Sequence, residues 1–195
     1  MERISVFCGS AKGKDPAFAL AAAALGKELA ARKITLVYGG GNIGLMGIIA
    51  DAVLAHQGQV IGVIPGFMMA KEIDHPGLTE LRIVSSMHER KATMAELSDG
   101  FIALPGGFGT LEEFCEILSW AQLGLHCKPF GILSTAGYYQ HFLAFLDHAV
   151  GEGLLKSKHR ALVIEAQEPI ALVEKMLAWK PAAPAAKWLE RPSQT

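Results

Sequence analysis

Apolar positions along the chain fall into two alternating patterns. Short runs rich in β-branched and aromatic residues occur at Ile4 to Cys8, Thr35 to Tyr38, Gln59 to Ile64, Leu81 to Val84, Phe101 to Leu104, Phe130 to Leu133 and Ala161 to Ile164. Several are apolar throughout, as strands covered on both faces are. Longer stretches with helical spacing lie between them. Pro16 to Arg32 places Phe18, Ala22, Leu25 and Leu29 on one face and Pro16 in the first turn. Ile43 to His56, Met87 to Ser98, Thr110 to Leu123, Tyr138 to Val150 and Pro169 to Trp179 complete the predicted helices. This alternation predicts an α/β fold, a Rossmann-like doubly wound parallel sheet of about seven strands with helices on both faces. Residues 1–180 read as one domain, and the proline-interrupted tail 181–195 as extended or disordered.

Composition narrows the function classes. The chain has 195 residues, 51% hydrophobic and 19% charged, with 9 Pro and 21 Gly, which excludes a disordered, collagenous or repeat protein. A chain of this length buries roughly 70% of its unfolded surface and needs no covalent or metal staple. Cys8, Cys115 and Cys127 are an odd, scattered set without a CxxC pair, which argues for a reducing cytoplasm and against a zinc site. With 18 Lys and Arg against 19 Asp and Glu, no global field recruits nucleic acid or anionic lipid. No signal-peptide pattern opens the chain, and its longest apolar stretch, Ala17 to Gly26, is too short to span a bilayer. The expectation is a cytoplasmic protein without a nucleic-acid or membrane partner, so any anion must be held by a local site.

Two glycine-rich turns supply candidates. Gly39, Gly40 and Gly41 follow a predicted strand and, with Gly44, open a helix in a GxGxxG spacing, so bare backbone amides can meet an anion there. A dinucleotide fingerprint also wants an acid roughly 20 residues on, yet the next strand ends in Val63-Ile64-Pro65-Gly66, which weakens a dehydrogenase. A tight turn with no ligand is the alternative. The second turn, Pro105-Gly106-Gly107-Phe108-Gly109-Thr110, again lies between strand and helix and reads as a phosphate cradle. In this reading Thr110 caps the helix and Leu111, Glu112 and Glu113 follow in its first turn. The glutamates either complement the helix dipole or serve a sugar carbon beside the phosphate. Gly13-Lys14 lacks the Walker spacing, so a triphosphatase is disfavoured.

A basic pair stands out on the helix Met87 to Ser98. Rotation of about 100° per residue places Met87, Arg90, Lys91, Met94 and Leu97 on one side. Arg90 therefore lies in an apolar stripe, where a cation needs a partner: substrate phosphate, Glu113 or an internal salt bridge. The helix Thr110 to Leu123 is apolar nearly all round, and a second covering subunit would explain that, which motivates a homodimer.

The motifs Pro105-Gly106-Gly107-Phe108-Gly109-Thr110-Leu111-Glu112-Glu113 and Met87-His88-Glu89-Arg90-Lys91, preceded by Tyr38-Gly39-Gly40-Gly41 and Phe7-Cys8-Gly9-Ser10, resemble the Lonely guy family of cytokinin-activating phosphoribohydrolases. The resemblance implies hydrolysis of the N-glycosidic bond of cytokinin riboside 5'-monophosphates or AMP, releasing free base and ribose 5-phosphate. It implies Arg90 and Glu113 as the catalytic pair. Implied substrate contacts are Ser10, Gly39, Gly40, Gly41, Glu72, Lys91, Gly106, Gly107, Phe108, Gly109, Thr110, Leu111, Glu112 and Ser119. No metal or redox cofactor is implied. Ala70 and Lys71 stand where relatives commonly carry proline and arginine. Family members were often labelled lysine decarboxylases, but nothing in the sequence suggests a pyridoxal-phosphate site. A noncatalytic nucleotide or cofactor carrier on the same scaffold is the competing reading.

Overall fold

A computed structural model describes residues 1–69 and 75–180. The strands are β1 (Arg3–Phe7), β2 (Thr35–Tyr38), β3 (Val60–Pro65), β4 (Glu80–Val84), β5 (Gly100–Ala103), β6 (Phe130–Leu133) and β7 (Val163–Ala166). The α-helices are α1 (Pro16–Ala31), α2 (Gly44–Ala55), α3 (Met87–Leu97), α4 (Phe108–Gln122), α5 (Gln140–Gly151), α6 (Ser157–Arg160) and α7 (Pro169–Ala178). All seven expected strands form. β7 starts two residues later than expected because Ser157–Arg160 takes a helical turn that runs into Ala161. The α6 turn has no apolar periodicity, so the sequence gives no sign of it. At the start of α1, Asp15 accepts a hydrogen bond from the Ala17 amide and Pro16 sits in the first turn, as the sequence predicts.

The strands form one sheet in the order β4-β3-β2-β1-β5-β6-β7, parallel at every pairing. From β1 the chain winds outward to β4, then returns to β1's other side with β5 and winds outward again to β7. The reversal lies between β1 and β5, and the carboxyl ends of strands that flank such a reversal form the crevice where open α/β sheets take their ligands.

Period-two alternation within the strands divides the core. Ile4, Val6, Leu36, Tyr38, Ile102 and Leu104 pack against α1, α2 and α7, while Phe7, Val37, Phe101, Ala103 and Phe130 pack against α3, α4 and α5. Ser5 is a polar exception on the second face. Its hydroxyl pairs with that of Ser98 at 2.8 Å and donates to the Met94 carbonyl, tying the end of α3 to β1. Gly44, at φ +63, begins α2 against the Ser10 backbone, where a Cβ would come within 2.2 Å of the Ser10 carbonyl carbon. Only glycine accepts both that backbone region and that approach. Among the described residues no helix is long and apolar enough to cross a membrane.

Candidate active site

Three strand ends meet at the crevice. β1 leads into Cys8, Gly9 and Ser10, β2 into Gly39 to Gly41, and β5 into Leu104 to Gly107. The Gly9 amide donates to the Pro105 carbonyl at 3.0 Å, and the Leu45 amide donates to the Gly9 carbonyl at 3.0 Å. The β1 turn is thereby fastened to both glycine-rich turns. Gly39, Gly40 and Gly41 are buried beneath it, and Ser10 is exposed.

The second turn differs from the sequence reading in two respects. α4 begins at Phe108 with Gly107 as its N-cap, two residues before the expected start at Thr110. Thr110 is therefore not the cap. It is buried at the third helical position, its hydroxyl packed on Gly106, where a Cβ would approach it to 2.1 Å. Glu112 and Glu113 then fall in the second turn, beyond most of the dipole field, so dipole complementarity is not why they are there. Gly107 and Gly109 have no heavy atom within 4 Å of where a Cβ would stand, and the intervening Phe108 is 93% exposed. Neither glycine is required by internal packing. Their bare backbone leaves the first-turn amides of α4 open to the crevice.

α3 delivers Arg90. Ser86 caps this helix by accepting the Glu89 amide, and the Ser85 hydroxyl and amide hold the Glu89 carboxyl below its ordinary pKa. Arg90, Lys91 and Met94 are buried, in agreement with the predicted stripe. The Arg90 Nε donates to the Val63 carbonyl at 3.0 Å, and its Nη2 donates to the Gly39 carbonyl at 2.9 Å. Nη1 rests against the sulfurs of Met68 and Met87. The guanidinium thus plugs the carboxyl ends of β2 and β3. A Cβ on Gly39 would lie 1.9 Å from Nη2, so glycine there makes room for the arginine.

Glu113 approaches from the other side. It is half-buried, one helical step from the sheet-facing Phe114 and Ile117. The buried Cys8 thiol at the end of β1 registers both groups. Burial pushes its pKa well up, the Glu113 charge raises it further, and the Arg90 charge opposes. Both charges thus act on the thiol that follows β1, while Arg90 is held by the Gly39 and Val63 carbonyls and Glu113 is carried on α4.

Lys91 does not stand open in the crevice. Its ammonium lies 2.5 Å from Glu112 Oε1 and 2.8 Å from Glu116 Oε2, clamping α3 to α4. Burial works against that charge, but the two carboxylates outweigh it and raise the pKa above its ordinary value. Leu111 is half-buried against the core cluster. Ser119 is exposed and donates to the Cys115 carbonyl, on the third turn after Gly107 and away from the Gly106 to Thr110 group. Glu72, Ala70, Lys71 and the tail from Pro181 lie outside the described residues. Among the described residues no group of three His, Cys, Asp or Glu side chains is placed to hold a metal ion.

Two residues that the sequence reading passed over hold the backbone of the second turn. Tyr138 Oη donates to the Gly106 carbonyl and Tyr139 Oη to the Leu104 carbonyl, each at 2.7 Å. For Tyr139 the signal was available: a tyrosine buried among apolar neighbours brings a hydroxyl that must find an acceptor, whereas Tyr138 is exposed and carries no such sign.

The model of a family described as possible lysine decarboxylase matches residues 46–176. A probable cytokinin riboside 5'-monophosphate phosphoribohydrolase from Oryza sativa subsp. japonica is 53% identical over 92% of this chain and 79% of its own length. The chain belongs to this family, the Lonely guy phosphoribohydrolases. A further Lonely guy member, the cytokinin riboside 5'-monophosphate phosphoribohydrolase from Arabidopsis thaliana, is 49% identical over 92% of this chain and 79% of its own length. More distant likenesses extend the fold beyond the Lonely guy family. The molybdenum cofactor binding protein from Rippkaea orientalis matches with a TM-score of 0.67 at 21% identity, over 90% of this chain and 95% of that one. The Moco carrier protein from Chlamydomonas reinhardtii matches at 0.68 and 23%, over 90% and 97%. At that identity they support the Rossmann-like architecture alone.

Proposed function

We propose that this chain hydrolyses the N-glycosidic bond of cytokinin riboside 5'-monophosphates, of AMP, or of both, releasing the free base and ribose 5-phosphate. The observation that carries this reading is a buried Arg90 fastened to the Gly39 and Val63 carbonyls and a half-buried Glu113 on α4, both charges acting on Cys8, beside a helix start kept bare by Gly107 and Gly109. The phosphate sits against the first-turn amides of α4. With a rise of about 1.5 Å per residue, Glu113 is about 9 Å along the axis from Gly107, and its side chain leans back toward the helix start. That separation suits a ligand with its anion at one end and its reacting carbon further in.

Cleavage of the C1'–N bond develops positive charge on the ribose. A fixed carboxylate at Glu113 stabilises that charge and takes a proton from the attacking water, whose hydroxyl goes to C1' while the departing base nitrogen takes up one proton, so that one water is consumed. Arg90 cannot lose its proton, so its part is to orient the carboxylate or favour the departing base while its carbonyl bonds keep it in place. Lys91, next to Arg90, grips Glu112, next to Glu113, and so sets the spacing of the pair from outside the reacting centre. The remaining acceleration comes from anchoring the phosphate, since held reactants avoid the entropy cost of meeting.

The decarboxylase description finds no support in these side chains. A Schiff-base lysine needs a depressed pKa, and Lys91, next to Arg90, is raised by its two glutamates, while Lys128, which burial lowers, precedes β6 at the amino ends of the strands. A carrier has no use for a carboxylate next to an anion it must retain, and the relatives at about half identity bear hydrolase names.

The deciding experiment incubates the purified protein with AMP and with an N6-isopentenyl analogue and follows free base by chromatography. Base release is expected from at least one of them. Retention of both nucleotides intact would reject the hydrolase and favour the carrier.

Residues 1–180 act in this reading as one nucleotide-binding unit. It is a homodimer, supported by the outer side of α4 and the turn after it, where Leu123 and Leu125 are 58% and 65% exposed. Light scattering across micromolar concentrations is expected to give twice the chain mass, and a constant monomer mass would refute the dimer. Three free cysteines, two of them exposed, favour a reducing cytoplasm.

A further inference from the structure

Three consecutive peptide carbonyls of the cradle are each held by a donor from outside it. The Leu104 carbonyl accepts from Tyr139 Oη at 2.7 Å, the Pro105 carbonyl from the Gly9 amide at 3.0 Å, and the Gly106 carbonyl from Tyr138 Oη at 2.7 Å. A trans peptide is planar, so its N–H points opposite to its C=O. Fixing the Gly106 carbonyl therefore fixes the direction of the Gly107 amide, the N-cap amide of α4. The Gly106–Gly107 peptide is flanked by two residues without Cβ atoms, which makes it the freest plane in the loop to rotate. Rotation would turn a carbonyl dipole toward a bound phosphate and its amide away.

The tyrosine itself is firmly placed. After β6 the chain passes through Ala136 at φ +51 and Gly137 at φ +72, a left-handed pair that turns it sharply toward the crevice. A non-glycine residue in that region is a local cost that something else must offset. The Tyr138 ring then lies edge-on to Phe18 at 5.4 Å and to Tyr139 at 5.0 Å between centroids, so its position does not depend on the hydroxyl. The Tyr139 amide is in turn held by Ser134 Oγ at 3.1 Å. The ring remains 43% exposed, which is more than core packing needs and fits a residue at the rim of a site.

We propose that Tyr138 is a positioning residue of the phosphate cradle: its hydroxyl locks the Gly106–Gly107 peptide with the carbonyl turned out and the Gly107 amide turned into the crevice. This rests on the nucleotide reading of the site and adds the residue that presets its anion-binding geometry. Such a lock acts on substrate and transition state alike, since both carry the phosphate, so its loss raises KM more than it lowers kcat.

The test is Tyr138→Phe, which keeps the ring and removes the donor. Expected are a KM for AMP and an inhibition constant for ribose 5-phosphate that both rise about tenfold, the loss of one hydrogen bond to a charged group. The thermal midpoint should move little, and the Gly107 amide resonance should no longer shift on titration with ribose 5-phosphate. A variant that keeps both constants and the Gly107 shift overturns the proposal, as does one whose kcat alone falls. If the native protein releases no base, the hydrolase reading fails by itself. The lock is then judged on the dissociation constants of AMP for the two proteins, and equal values or no binding by the native protein refute it.

Discussion

Glu113→Gln is expected to reduce kcat for AMP or its N6-substituted analogue by about 10²- to 10⁴-fold while leaving KM within a few-fold. The substitution keeps size and shape and removes only the charge and basicity that the reaction needs. It lies one helical step outside the sheet-facing residues Phe114 and Ile117, so the packing of α4 is retained and the thermal midpoint should change little. The neighbouring Glu112→Gln is the control. Glu112 is exposed and paired to Lys91, and Glu116 remains on the same ammonium, so a much smaller loss is expected. Steady-state kinetics with both variants separates the two adjacent carboxylates. Equal losses would mean that charge near Lys91, and not a base at residue 113, is what the site uses.

Much of this arrangement is legible in the sequence because the physics involved is local and periodic. Strands such as Phe130–Leu133 and Thr35–Tyr38 are short, apolar and bounded by turn residues, so the pattern marks them to the residue. The stripe containing Arg90 follows from helical rotation alone, and Arg90 is buried as that rotation requires. What the pattern does not carry is which atoms the guanidinium meets. An anion is the economical expectation, whereas Gly39, just after β2, and Val63, one residue past the last pairing of β3 with β2, offer carbonyls. Strand-end carbonyls exist only once the sheet order is known, and no side chain advertises them.

The helix start illustrates the same limit. Thr110 looks like a cap because hydroxyls usually cap helices, yet the chain turns earlier and uses Gly107. A glycine cap leaves no side chain over the first amides, which suits an incoming anion better than internal satisfaction does. The sites most dependent on distant chain segments were the least legible. Tyr138 lies 32 residues from Gly106, and no spacing rule joins a tyrosine after β6 to a carbonyl after β5. Their meeting follows from β5 and β6 being neighbours in the sheet.

Arg90→Lys is the second large effect, and it tests whether the guanidinium is needed for its shape or only for its charge. Lysine keeps the positive charge but offers a single nitrogen on a flexible stem in place of a planar fork. Arg90 now reaches two carbonyls on two strands with two different nitrogens, Nε to Val63 and Nη2 to Gly39. One ammonium cannot reproduce both directions at once, and a buried carbonyl left unpaired costs about 1–3 kcal/mol. Stability by urea unfolding should fall by about that amount. The activity loss should be larger than stability explains: kcat/KM down by at least about 10²-fold, the usual consequence of losing a fixed electrostatic group at a reacting centre. If the lysine variant loses stability but keeps its turnover, residue 90 is a structural plug for the ends of β2 and β3, and the chemistry belongs to Glu113 and the cradle. If both fall together, the same two bonds that satisfy the strand ends also aim the arginine at the substrate.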